Sequence, residues 1–139
     1  MVYYEIKVNY TRQTGEDNPS AVKETYIVEG LTCADVETRL LNDIKPFISA
    51  GECEVKSCKQ IQFRELIPDP TGEYWYKARV EMITIEDNGK ETRKPANIYV
   101  QASTMAEALK TLQHALSNED CEVISLNKTA IMDVLRAIN

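Results

Sequence analysis

The chain has 139 residues, 43% hydrophobic and 27% charged, with 16 Lys and Arg against 22 Asp and Glu for a formal net charge of −6. That length supports one ordinary domain with a real core and is too short for two independent ones. No run of about 18 apolar residues is present to span a bilayer, and the acidic balance argues against indiscriminate polyanion binding while leaving room for a local basic patch.

The opening MVYYEIKVNY lacks the basic-then-apolar layout of a leader, so a cytoplasmic protein that begins on a folded strand is expected. Its alternation puts Tyr4, Ile6, Val8 and Tyr10 on one face and Tyr3, Glu5, Lys7 and Asn9 on the other. The polar stretch Thr11 to Ser20, broken by Gly15, Asn18 and Pro19, reverses the chain into a strand over about Val22 to Glu29. Thr32 with Asp35 resembles a capping box and opens a helix on Cys33, Val36, Leu40 and Ile44, which Pro46 ends or kinks. After Gly51 a long strand is expected from Cys53 to about Leu66.

Pro68, Pro70 and Gly72 make residues 68–72 a turn. A strand follows from Trp75 to Ile85, then Asp87-Asn88-Gly89, read as a tight type I′ hairpin turn, and a return strand reaching Gln101. Thr104 and Glu107 form a second capping box, for a helix with Met105, Ala108, Leu109, Leu112, Ala115 and Leu116 on one stripe. Cys121 to Leu126 reads as a strand, and another is expected through Val134, with a short helical or frayed tail after it.

The chain says one thing twice. Displaced by 72 positions, Val28 matches Val100, Thr32 matches Thr104, Asp35 matches Glu107 and Leu40 matches Leu112. Cys53-Glu54-Val55 recurs as Cys121-Glu122-Val123 with four residues dropped. The expectation is a single α+β domain of two pseudo-symmetric strand-strand-helix-strand repeats, 1–67 and 73–139, with a mainly antiparallel sheet, two equivalent helices and a shared core.

TYIVEGLT at 25–32, IKPFISAGECEV at 44–55, QFREL at 62–66 and the terminal TAIMDV at 129–134 carry a resemblance. They resemble an uncharacterised family of small proteins, a domain of unknown function found in bacteria and their phages, over nearly the whole chain. The resemblance implies the doubled layout and brings no catalytic residues.

Chemistry is sparse. Cys33, Cys53, Cys58 and Cys121 contain no CxxC pair, and Cys53 and Cys58, five apart, should face opposite ways on one strand. With one histidine, His114, no metal site or cofactor is expected, and the thiols read as reduced and mostly buried. No nucleophile–base pair or Gly-rich phosphate loop points to an enzyme. Strand parity instead turns Trp75, Lys77 and Arg79 outward, with Tyr3 and Lys7 at the matching places in the first copy. Rings beside alternating cations suit single-stranded nucleic acid, the first expected ligand of a non-enzymatic binding protein. Two alternatives stand beside it. One is a small nucleotide-like ligand held in a cleft between repeats by Tyr4, Glu65, Tyr76 and Asp133. The other is a module that docks a protein partner.

Overall fold

The structure, a computed structural model, describes residues 2–12 and 20–137. Its elements run β1 (Val2–Arg12), β2 (Ser20–Gly30), α1 (Cys33–Ile44), β3 (Ile48–Ile61), β4 (Glu65–Ile67), β5 (Tyr74–Ile85), β6 (Glu91–Ala102), α2 (Met105–Ala115), β7 (Cys121–Lys128) and β8 (Ile131–Leu135). The reversal expected between the first two strands falls at 13–19, and the end of the tail at 138–139; both lie outside the described residues. Where one mainly antiparallel sheet is expected, there are two mixed sheets of four strands, ordered β3-β1-β2-β8 and β4-β6-β5-β7. The chain forms two compact units, residues 1–62 with 130–139, and residues 63–129.

In the first unit β1 pairs antiparallel with β2 and β3, while β8 lies parallel to β2. Tyr4, Ile6, Val8 and Tyr10 of β1 and Tyr26 and Val28 of β2 all point to the face that α1 covers with Val36, Leu40 and Ile44. Burying each large aliphatic side chain contributes about 1.5–3 kcal/mol. The Thr32 hydroxyl accepts from the Asp35 N–H at 3.2 Å and starts the helix. The Asp35 carboxylate reaches back to the Leu31 N–H at 3.1 Å. Gly30 is required by close approach, since a Cβ there would stand 2.5 Å from Val36 Cγ1. Past α1, Pro46 sits in a single 3-10 turn, Lys45–Phe47, which delivers the chain to β3.

In the second unit β5 pairs antiparallel with β6 and β7, and β4 lies parallel to β6. Tyr76, Ala78, Val80, Ile98 and Val100 pack under Ala108, Leu112 and Leu116. Thr104 caps α2 as Thr32 caps α1, accepting from the Glu107 N–H at 3.2 Å. The expected stripe is too wide: Met105 and Leu109 are 45% and 37% exposed. They sit on the flank of the buried 108–112–116 line, which packs on the sheet. The β5–β6 turn also differs from a type I′ hairpin. Among described residues only glycines have positive φ, so Asn88 does not, and Gly89 takes φ 84° after closing a turn onto the Glu86 carbonyl at 2.8 Å. This is the three-residue arrangement with glycine in the left-handed position.

The strand expected to run unbroken to Leu66 ends at Ile61. The Arg64 N–H then bonds the Asn97 carbonyl at 2.8 Å, and Glu65–Ile67 align with Ile98–Val100 of β6. The first unit therefore takes its parallel edge strand, β8, from the far end of the sequence, and the second takes β4 from the residues just before β5. Opposite Lys7 and Val8, β3 carries one extra residue, Lys56, because Ser57 and Val55 are the consecutive partners. That bulge reverses the side-chain alternation. Cys53, Val55 and Cys58 consequently all pack against the same core, correcting the expectation that the two cysteines face opposite ways.

Candidate functional site

The five residues expected to form one ligand face are divided between the units. Lys7 of β1 is exposed and Tyr3 is half-buried, where burial and then Glu29 raise its phenol pKa. On β5 the parity holds, since Trp75 stays out of the cluster beneath α2, and Lys77 and Arg79 are exposed. Trp75 itself, however, is 4% exposed, so it offers no open stacking surface. The face opposite the helix is not wholly solvated, and alternation alone cannot register that. Lys77 Nζ stands 6.0 Å from the centroid of Tyr99, whose ring meets Phe63 edge-on at 5.7 Å.

Tyr4 and Tyr76, expected in a cleft, are buried in the clusters of the first and second units. Glu65 lies on β4 of the second unit and Asp133 on β8 of the first. His114 is exposed in the last turn of α2. Among the described residues no group of three or more His, Cys, Asp or Glu could hold a metal ion. All four cysteines are free thiols, each half-buried rather than mostly buried.

One concavity lies within the first unit, beside α1. The α1 helix packs on β1, β2 and β3, whereas β8 is the far edge strand beyond β2, so the seam between α1 and β8 stays open. A cavity of about 390 Å³ there is lined by Tyr26, Leu40, Asp43, Ile44, Phe47, Met132, Asp133 and Leu135. Leu40, Asp43, Ile44 and Phe47 follow the i, i+3, i+4, i+7 spacing of one helix flank. Across from them, Thr25 pairs with Ile131 and Tyr26 with Asp133, so Met132 is an extra residue in β8 and bulges beside Asp133. The hollow continues into a second of about 360 Å³, which shares Asp43 and Leu135 and adds Arg39 and Arg136.

The charges in this groove are unevenly used. Arg39 donates to the carbonyls of Glu29 and Arg136, and the Ala137 N–H donates to Glu29 Oε1 at 2.8 Å, which ties down the chain after β8. Among the described residues, the Asp133 side chain accepts from its neighbour Val134 N–H, at 2.8 Å. Neither Asp43 nor Asp133 forms an ion pair with a described cation. Phe47 and Met132, at the rim, are among the exposed large hydrophobic residues of the protein. The Arg12 guanidinium lies 4.8 Å from the Phe47 ring centroid, so this ring already receives a cation.

Behind Tyr26 lies a buried carboxylate that the sequence reading missed. Glu24, its side chain 4% exposed, accepts at Oε1 from the Tyr10 hydroxyl at 2.6 Å and the Tyr26 hydroxyl at 2.9 Å. Arg12 approaches Oε2 at 3.5 Å. Burial and the bond to Glu24 push the Tyr10 phenol up to about 12, and the same causes raise Tyr26. A signal was present: Val22, Glu24, Tyr26 and Val28 share strand parity, which places one carboxylate inward among apolar neighbours.

The fold thus defines the class: an α+β protein of two mixed sheets, each carrying one helix. The chain matches the family model described as Domain of unknown function (DUF4494) over residues 2–137, and it belongs to that family. Among curated proteins nothing matches it.

Proposed function

We propose that this protein is a non-enzymatic binding module that takes a ligand with an apolar body and a cationic group into the groove between α1 and β8. One observation carries the reading: Asp43 and Asp133, free of described cations, flank the exposed Phe47 and Met132 in a single concavity. Its volume of about 390 Å³ falls in the range of small-molecule sites. A cation beside an exposed carboxylate contributes about 0.2–1 kcal/mol, and apolar contact adds roughly 25 cal/mol for each Å² covered. Titrating isotope-labelled protein with hexylammonium should move the amide resonances of Asp43, Phe47 and Met132 to Leu135, with hexanol moving them less. Perturbation confined to other regions would remove the groove from consideration.

A second reading is single-stranded nucleic acid on the helix-free face of the second unit's sheet. It is supported by Lys77 and Arg79, both exposed and neither paired with a described carboxylate. In this version the cations act without Trp75. Alanine at Lys77 and Arg79 should reduce the salt dependence of oligonucleotide binding by about one phosphate contact each. If the wild type shows no binding at low salt, this reading falls.

The two halves read as copies of one ancestral unit. Supporting this, both helices carry the same threonine cap, and β3 and β7 each hold one extra residue, opposite Lys7/Val8 and Arg79/Val80.

A further inference from the structure

Cys33 is the first residue of α1 and Cys58 lies 25 positions on, in β3, yet the Cys33 thiol donates to the Cys58 carbonyl at 3.4 Å. The Cys33 thiol thus reaches the backbone of the very residue that carries the second thiol. Both pack on the rim of the same core and both are half-buried, so a small reagent can reach them. We propose that Cys33 and Cys58 form a reversible disulfide that clasps the first turn of α1 to β3, with a low-molecular-weight disulfide as oxidant. This modification site is separate from the groove between α1 and β8.

The chemistry balances by exchange. Cys33 Sγ gives up its proton and attacks one sulfur of the small disulfide, whose other half departs as a thiol. Cys58 Sγ, losing its proton, then attacks Cys33 Sγ in the mixed adduct and expels the second small thiol. One disulfide is consumed, one is made, and the two electrons leave with the small molecule. Burial, then Cys33, pushes the Cys58 thiol up to about 12, so Cys58 relies on its proximity to Cys33 rather than on a ready thiolate.

The test is to incubate the protein with glutathione disulfide, block residual thiols, and map peptides by mass. The proposal predicts loss of two of the four free thiols, a Cys33–Cys58 linked peptide, a higher denaturant midpoint, and full reversal by dithiothreitol. Cys53→Ser should leave this unchanged. Cys58→Ser should stop at a stable glutathione adduct on Cys33, and Cys58→Ala provides the same test should the serine variant fold poorly. Four thiols still blockable after oxidation, a persistent adduct on the wild type, or a link to Cys53 would each overturn the proposal.

Discussion

Replacing Trp75 by alanine should lower stability by about 3–5 kcal/mol, the range for emptying a large buried aromatic site. Trp75 is 4% exposed, and its carbonyl accepts from both the N–H and the hydroxyl of Thr129, at 2.9 and 2.7 Å. Its indole N–H is buried without an acceptor among the described residues. Trp75→Phe should therefore be milder, because losing ring volume is partly offset by removing a donor whose burial costs about 1–3 kcal/mol. Denaturant midpoints for the two variants check this. If Trp75→Ala moved the midpoint by less than about 0.5 kcal/mol, as at ordinary surface sites, Trp75 would be behaving as an open platform.

The second large effect is expected at Glu24. Glu24→Ala removes the acceptor of the Tyr10 and Tyr26 hydroxyls, and each orphaned hydroxyl costs about 1–3 kcal/mol. Replacing all three together, as Tyr10→Phe, Glu24→Leu and Tyr26→Phe, should restore most of the loss, because an apolar set leaves nothing unpaired. Seventy-two positions on, the chain itself carries Met82, Ala96 and Ile98. The wild-type network also predicts an alkaline limb. The folded Tyr10 phenol lies near 12 against an ordinary value of 10.0, so the unfolded chain loses its proton first. The stabilisation is complete below about pH 10 and is lost as pH rises through about 12. Midpoints measured across that window should fall for the wild type and stay flatter for the triple variant; parallel curves would show that the tyrosines are not coupled to folding.

Local chemistry made much of the fold legible. Thr32 with Asp35 and Thr104 with Glu107 announce both helices, since the spacing is dictated by orphan N–H groups at a helix start. Alternation announces β1 and β5. What stayed hidden is non-local. Nothing in Glu65–Ile67 says that it pairs with β6, because a short apolar strand carries no address for its partner. Nor does any residue near Lys56 reveal the bulge that turns Cys53 and Cys58 toward one core. The groove shows the same limit. Asp133 was visible as a candidate, but Asp43 and Phe47 become its neighbours only once β8 joins β2 across more than half of the chain.

The central claim, that the seam between α1 and β8 seats a cationic ligand, meets its most direct test in one equilibrium titration. Wild type and the Asp43→Asn/Asp133→Asn variant would each be titrated with hexylammonium at several salt concentrations, with hexanol as the neutral control. Losing each carboxylate should weaken hexylammonium binding by up to about fivefold and flatten its salt dependence, leaving hexanol unaffected. Equal hexylammonium affinity in the wild type and the double variant would contradict the claim.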